Sequence, residues 1–231
     1  MTKIPCWIVL ALAAGVSGSQ AVVTLTLDDF TDAFSPVNPL TANAVIASAT
    51  DVTNLTVPDV AGAIRTTTAE YLGGPVSVEA TLALGTLIYS SGVGTNGRLT
   101  LDYNFGGARD LTLAGGDSFV LEIIASDHPA VTGLVELTAT SQGGVMSSTE
   151  SVPFVIGDAS VPFSDFTGGV DFTEITNVSI GYNVDTAFDG SISLIGVSSP
   201  DRVPDGGISI SLLGLSLLGL AGLGRLAKTK L

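Results

Sequence analysis

The sequence of 231 residues is poor in the side chains on which most enzymes and metalloproteins depend. Cys6 is the only cysteine, Trp7 the only tryptophan and His128 the only histidine. A disulfide within the chain and a zinc site built from several His and Cys ligands are therefore excluded. A Ser-His-Asp triad would have to use His128, which stands in a predicted turn with no G-x-S-x-G motif in the chain. We expect a protein that is not an enzyme.

Basic residues are almost as scarce, and lysine is absent between Lys3 and Lys228. Residues 22–202 carry 21 acidic and 4 basic side chains, so their net charge is −17 (4 minus 21). Such a surface repels nucleic acid and anionic lipid, which excludes a nucleic-acid partner. It can attract divalent cations, and Ca²⁺ is the metal that loop carboxylates favour, although no EF-hand loop is present. The candidate calcium ligands are Asp28, Asp29 and Asp32, or Asp185 and Asp189.

Stretches rich in helix-forming residues are hard to find, and alternation of apolar and polar residues is frequent instead. Leu99, Leu101 and Tyr103, for example, alternate with Thr100 and Asp102. Alternation with a period of two predicts half-buried β-strands, and Gly and Asp clusters separate them. The predicted strands cover 22–27, 63–68, 75–84, 86–90, 98–104, 108–113, 118–125, 132–139, 151–156, 175–183 and 191–197.

Short strands at this spacing predict an all-β fold, a β-sandwich or jelly roll, over residues 22–202. Residues 31–60 contain three prolines and are predicted to form a long loop or an irregular segment.

Four segments of this region carry a resemblance to a known fold. Asp28-Asp29-Phe30 follows the first strand, and the segments 161–166, 172–180 and 190–195 follow one another near the far end. Their order is similar to the closing strands of galactose-binding-like jelly rolls, which include carbohydrate-binding modules. The last strand has Leu194-Ile195-Gly196 where that class has an acidic residue. The resemblance implies an extracellular polysaccharide as a partner.

Gly92 to Gly97 fits the pattern G-x-G-x-x-G of dinucleotide-binding proteins. That motif must lead from a strand into a helix whose N-terminus meets the pyrophosphate. Residues 98–104 alternate as a strand does, so the glycines are predicted to form a hairpin loop.

Aromatic residues are also few in number. Sugar-binding sites commonly use an aromatic platform, and residues 22–202 contain no tryptophan. For the four tyrosines we expect packing in the core with the hydroxyl at its rim. They are Tyr71, Tyr89, Tyr103 and Tyr182.

Residues 1–21 have the layout of a secretory signal peptide. Lys3 gives a positive start, residues 4–16 form an apolar run, and Ser19-Gln20-Ala21 offers small residues at a cleavage site. We expect a helical signal peptide, passage through the Sec translocon and cleavage by signal peptidase after Ala21.

Residues 203–231 have three parts: a polar motif, an apolar run and a basic tail. Residues 208–224 form 17 residues without a charge. At about 1.5 Å per residue a helix of that length reaches roughly 25 Å, close to the thickness of a bilayer core. We therefore expect a transmembrane helix. Its leucines include Leu212, Leu213, Leu215, Leu217, Leu218 and Leu220, and the cations that follow are Arg225, Lys228 and Lys230.

The motif is Val203, Pro204, Asp205, Gly206 and Gly207. With the apolar run and the basic tail, it resembles the PEP-CTERM class of sorting signals in its Val-Pro-Asp-x-Gly variant. The resemblance implies export, a transient membrane anchor with a cytoplasmic basic tail, and cleavage by an exosortase-type membrane protease. The sequence thus predicts an exported protein of the cell surface or extracellular matrix. The alternative is an extracellular carbohydrate-binding, lectin-like module.

Overall fold

A computed structural model describes residues 22–34, 38–127, 134–144, 146–154, 156–184 and 188–199 of the chain. Within these ranges the regular structure is almost entirely β, with only single turns of 3-10 helix. The all-β prediction is confirmed. The strands are β1 Val22–Asp28, β2 Leu40–Ala42, β3 Ser48–Asn54, β4 Ile64–Gly73, β5 Val78–Ala83, β6 Thr86–Ser91, β7 Asn96–Arg109, β8 Ser118–Ser126, β9 Leu134–Ser141, β10 Met146–Pro153, β11 Gly157–Pro162, β12 Ile175–Val184 and β13 Asp189–Ser199.

The strands form two antiparallel sheets. Sheet A has the order β11-β8-β13-β6-β5-β2, with β1 also paired to β13, and sheet B has the order β10-β9-β12-β7-β4-β3. One half of β13 pairs with β6 and the other half with β1. Val22 lies opposite Ser199, so the first and last described strands are antiparallel neighbours in sheet A.

The core lies between the two sheets and is made by the inward positions of alternating strands. On β7, Leu99, Leu101 and Tyr103 are buried while Thr100 and Asp102 face outward. Burying each side chain of this size contributes roughly 1.5–3 kcal/mol. The buried hydrophobic cluster extends from Leu27 to Val197, so the described part of residues 22–199 forms one hydrophobic core. We therefore expect residues 22–202 to fold by themselves.

An aromatic cluster fills one part of this core. Phe119 on β8 makes edge-to-face contacts with Phe163, Phe166 and Phe172, at centroid distances of 5.1, 5.8 and 6.1 Å. Phe163 and Phe172 stack with their centroids 3.9 Å apart. Rings at these distances contribute beyond their buried area.

The prediction of a loop over residues 31–60 is wrong, because β2 and β3 lie there. β3 is an edge strand whose inward positions include Asp51 and Thr53, which are bonded to each other. Inward-facing polar residues are a known feature of edge strands, and they remove the apolar alternation from which a strand is predicted.

Two further strand predictions need correction. Residues 96–109 form the single long strand β7, which contains Gly106 and Gly107, where a break between two strands was predicted. β10 and β11 occupy 146–153 and 157–162, where one strand over 151–156 was predicted. β7 pairs with both β4 and β12 as far as Asn104, and beyond it β12 pairs again at Arg109 across an irregularity that contains the two glycines.

The loop at Gly92 to Thr95 is not a hairpin loop. It joins β6 of sheet A to β7 of sheet B, so it crosses from one sheet to the other. The segment after it is a strand, as predicted.

The predicted signal peptide with Ala21, the sorting motif, the apolar run, the basic tail and His128 lie outside the described residues. Within the described ranges, no helix combines the length and apolar character needed to cross a membrane.

Candidate ligand-binding face

The outward surface of sheet B carries side chains with hydroxyl, amide and carboxylate groups in two rows that cross the strands. We call these eight residues the hydroxyl–amide face. One row is Ser147, Thr140, Asn177 and Asn104, and the other is Thr149, Thr138, Ser179 and Asp102. In each row the residues lie on β10, β9, β12 and β7 in turn. Neighbouring strands stand about 4.8 Å apart, so the groups repeat at that spacing.

Alternation fixes the direction of these side chains. On β12, Val178 and Ile180 fill the core, which turns Asn177 and Ser179 outward. On β7 the buried Tyr103 separates the outward Asp102 and Asn104 in the same way. The rows therefore follow directly from core packing on the other side of the sheet.

Hydrogen bonds hold several of these groups in place. The amide nitrogen of Asn177 donates to the carboxylate of Asp102 at 2.7 Å. The backbone N–H of Gly106 donates to the side-chain oxygen of Asn104 at 2.8 Å. The hydroxyls of Thr138 and Thr149 are 2.6 Å apart. Side chains held by such bonds lose less conformational freedom when a ligand binds.

One end of this face is an open groove of about 530 Å³. Asn104, Thr140, Thr176 and Asn177 supply its polar groups. Glycines of β7 and of the turn after β9 line its rim: Gly106, Gly107, Gly143 and Gly144. A side chain at any of these glycines would meet no atom within 4 Å, so the rim is open to solvent. The volume lies in the range of small-ligand sites, and the groove has convergent polar groups as such sites do.

Aromatic rings do not contribute to this face. Every aromatic ring among the described residues is buried or half-buried, and the half-buried ones are Tyr71, Phe163 and Phe172. Phe163 and Phe172 stack on each other, and Tyr71 donates its hydroxyl to the carbonyl of Gly74. The described part of the chain thus offers hydrogen-bonding groups without a stacking platform.

The strongest electrostatic contact lies between the sheets. Arg65 of β4 donates from Nη1 to Oδ2 of Asp28 at the end of β1, at 2.7 Å, and neither side chain is exposed to solvent. Oδ2 also accepts from the hydroxyl of Tyr103 at 2.9 Å, and Oδ1 from the N–H of Phe30 at 2.8 Å. The guanidinium carbon also lies 5.8 Å from the ring centroid of Phe30 and 5.7 Å from that of Phe34.

Burial raises the pKa of Asp28, and the guanidinium of Arg65 opposes that shift. Burial also raises the pKa of Tyr103, and the neighbouring carboxylate adds to that increase. Neither group has access to a substrate, so this cluster joins the two sheets and has no part in binding.

The carboxylates of three described candidates for calcium have other partners, and the fourth candidate, Asp189, is bonded to Asp127 through its backbone. Asp28 is paired with Arg65, Asp29 accepts from the hydroxyl and N–H of Thr31, and Asp32 accepts from the hydroxyl and N–H of Thr56. Asp189 accepts through its carbonyl from the N–H of Asp127. Asp185 lies outside the described residues. Within the described ranges, no group of three or more His, Cys, Asp and Glu side chains is arranged to hold a metal ion.

The tyrosine predictions are half right. Tyr89, Tyr103 and Tyr182 are buried in the core as predicted. Their hydroxyls do not reach the rim: that of Tyr103 bonds to Asp28, and those of Tyr89 and Tyr182 are buried without a partner among the described residues.

The residues of the hydroxyl–amide face were not singled out from the sequence as a binding site. The alternation places Asp102 outward, but its contact with Asn177 joins positions 75 residues apart.

The sequence matches no family model and no curated protein. The solved structures that this chain matches include the family 11 carbohydrate-binding module of the cellulosomal cellulase Lic26A-Cel5E of Clostridium thermocellum. It is 15% identical with a TM-score of 0.37, and the match covers 79% of this chain and 99% of that one.

A second neighbour is the family 30 carbohydrate-binding module of cellulosomal cellulase Cel9D-Cel44B of the same organism. It is 12% identical with a TM-score of 0.40, and the match covers 78% of this chain and 99% of that one. A third, an exo-beta-agarase, is 12% identical with a TM-score of 0.36 over 59% of this chain and 24% of its own.

Proposed function

We propose that this chain is an exported, non-catalytic protein whose β-sandwich binds an extracellular polysaccharide through the hydroxyl–amide face. The observation that carries the proposal is the alignment of two rows of hydrogen-bonding side chains with a groove of about 530 Å³ on one sheet. Sugars present several hydroxyls, each both donor and acceptor. Amides, hydroxyls and a carboxylate at fixed spacing match that chemistry.

The charge of the protein selects among polysaccharides. Residues 22–202 carry a net charge of −17, which repels anionic polymers. Asp102 is the carboxylate of the face, and its bond from Asn177 leaves its other lone pairs to accept from sugar hydroxyls. A neutral polysaccharide therefore fits this surface better than an acidic one.

The affinity of one such site should be low. Hydrogen bonds exchanged with water contribute only about 0.5–1.5 kcal/mol each, and the face has no aromatic ring to add stacking. A polymer with many equivalent segments compensates, because it offers the same site repeatedly along its length.

The test is affinity electrophoresis of residues 22–202 through gels that contain neutral or acidic polysaccharides. We expect retardation by a neutral polysaccharide and loss of it in the variants Asn177→Ala and Asn104→Ala. Thr50→Ala, an exposed residue at the opposite edge of the same sheet, serves as the control and should leave the retardation unchanged. Migration of wild-type protein at one rate in every gel, or equal retardation of the Asn177 variant, would contradict the proposal.

Delivery by sorting signals is a separate part of the proposal and is supported by sequence motifs alone. Ser19-Gln20-Ala21 follows an apolar run, and Val203 to Gly207 precedes one that is followed by Arg225, Lys228 and Lys230. Intact mass spectrometry of protein released by the producing cell should find termini near Val22 and within 204–207. In the Asp205→Ala variant a full-length form should stay in the membrane. Unchanged release of that variant would show that release does not depend on the motif.

A second candidate function is a surface or matrix protein without a ligand of its own. The observation that favours it is the burial or partial burial of every described aromatic ring. The electrophoresis experiment separates the two, since this candidate predicts no retardation by any polysaccharide.

A further inference from the structure

We infer that the outward surface of sheet A docks a basic amphipathic segment of a partner protein. An open groove of about 370 Å³ crosses this surface, and three exposed isoleucines line it: Ile88 on β6, Ile124 on β8 and Ile156 just before β11. Their exposed fractions are 39, 46 and 66%. An exposed apolar patch with a polar rim commonly marks a protein-interaction site.

Strand order brings the three isoleucines together. Ile123 of β8 fills the core, which turns its neighbour Ile124 outward. Gly157 of β11 lies opposite Ile123, and Ile156 and Ile124 are the adjoining residues on the same side of that pair. Ile88 lines the groove from β6, across the intervening β13. The groove is therefore apolar along a line that crosses the sheet.

Exposed carboxylates stand at both ends of this groove. At one end Asp127 and Asp189 line it, and the N–H of Asp189 donates to Oδ1 of Asp127 at 2.8 Å. On the other side of the isoleucines, Asp158 of β11 lies directly opposite Glu122 of β8. Like charges directly opposite each other destabilise a sheet. A cation bound between them would remove that cost, and the same holds for the first pair.

No described basic side chain pairs with this acidic rim. The basic residues of the described ranges are Arg65, Arg98 and Arg109, and all three lie on β4 and β7 of sheet B. A second copy of this chain is itself acidic, and the rim repels it as it repels anionic lipid. Charge complementarity thus selects a partner that carries Lys or Arg on both sides of its apolar side chains.

Strand pairing indicates that the partner segment docks as a helix. β8 pairs with both β11 and β13, and β13 pairs with both β8 and β6, so their backbone groups cannot accept another strand. An amphipathic helix docks through side chains alone, with its apolar stripe in the groove. From Glu122 to Asp127, at about 3.3 Å per residue, the two acidic pairs stand roughly 16 Å apart. That distance corresponds to about three helical turns.

The test is fluorescence anisotropy of residues 22–202 with a labelled synthetic peptide of about three helical turns, without any polysaccharide. The probe peptide carries a stripe of leucines on one face and lysines in its first and last turns. One control peptide has glutamates in place of the lysines, and the other has alanines in place of the leucines. We expect only the probe to bind, with a dissociation constant that rises with salt, since exposed ion pairs are screened.

Variants of the protein locate the contact. Ile124→Ser should raise the dissociation constant at least about tenfold, and Asp127→Asn should raise it and reduce its dependence on salt. Ile46→Ser and Glu136→Gln are the matched controls: Ile46 is 52% exposed in the loop before β3, and Glu136 faces outward on sheet B. Both should bind the probe like the wild type, and circular dichroism should show every variant folded. If Ile124→Ser does not fold, Ile156→Ser, which lies outside the strands, replaces it with the same expected result.

Absence of binding by the probe would overturn the inference. Equal binding of either control peptide would also overturn it, because apolar contact or charge alone would then be sufficient. Unchanged binding by Ile124→Ser, or equal weakening by Ile46→Ser, would place the contact elsewhere, with the same consequence. The groove lies on sheet A and the hydroxyl–amide face on sheet B, and no polysaccharide is present, so the outcome is independent of the proposed function.

Discussion

Nη1 of Arg65 on sheet B donates to Oδ2 of Asp28 on sheet A at 2.7 Å, with both side chains wholly shielded from water. The same guanidinium donates from Nη2 to the carbonyl of Asp32 at 2.6 Å. One basic residue thus fixes the end of β1 and the chain that follows it onto the opposite sheet. Its removal should test how far the sandwich depends on this contact.

Replacing Arg65 by Met should lower the free energy of unfolding by about 3–5 kcal/mol, because it leaves a buried carboxylate without its counter-charge. Asp28→Asn should have a similar effect by leaving the guanidinium unpaired. The double variant should be more stable than either single one, since it buries no unpaired charge. Urea unfolding followed by circular dichroism measures all three, and additive losses in the double variant would contradict the coupling.

Tyr103→Phe removes one hydrogen bond to the same carboxylate and leaves the ring in place. A bond to a charged acceptor contributes about 1.5–3 kcal/mol, so the loss should fall in that range. Tyr182→Phe is the control, because its hydroxyl has no partner among the described residues. Urea unfolding should find that variant at least as stable as the wild type.

Alkaline pH should unfold the protein through its buried tyrosines. Burial raises the pKa of Tyr89, Tyr103 and Tyr182 above the ordinary value of 10.0. Above pH 10 the unfolded chain therefore loses protons that the folded chain keeps, and the free energy of unfolding falls as pH rises. These three hydroxyls should therefore ionise only as the protein unfolds. Tyrosinate absorbance follows the ionisation and circular dichroism follows the unfolding, and both can be recorded on one sample as the pH rises. Ionisation of all three in a still-folded protein would contradict their burial.

Gly116→Ala should destabilise the fold. A Cβ at this position would lie 2.5 Å from the carbonyl oxygen of Leu111 and 2.5 Å from a methyl group of Val197, so the backbone has to shift. Overpacking of this kind costs about 1–3 kcal/mol. Gly107→Ala is the matched control, because a Cβ there meets no atom within 4 Å. Thermal unfolding should separate the two, and an equal midpoint for both would show that the site near Gly116 can relax.

Asp102→Asn tests the charge of the hydroxyl–amide face. The change removes a carboxylate that accepts from Asn177 at 2.7 Å and should weaken polysaccharide binding about tenfold, since bonds to charged groups are the stronger ones. Glu136→Gln is the charge-matched control on the same outward surface of sheet B. Affinity electrophoresis of the two variants side by side compares their retardation by the polysaccharide. Equal retardation would show that the charge of Asp102 takes no part in binding.

Several features were predictable because they depend on local pattern. Leu99, Leu101 and Tyr103 alternate with polar residues, and the structure buries them and exposes their neighbours. β3 was not predictable in this way, since its inward Asp51 and Thr53 hide the period of an edge strand. The loop at Gly92 to Thr95 was predicted as a turn between strands, but nothing local indicates that those strands belong to different sheets.

The sequence by itself determined the all-β class, the acidic surface and the outward direction of residues such as Asp102, because side-chain alternation and charge are properties of neighbouring residues. Only the tertiary structure decided that Asp28 meets Arg65 and that Asn177 lies beside Asp102. Those contacts join positions 37 and 75 residues apart. Strand order and register set them, and these are fixed by the packing of the whole core and not by any local segment.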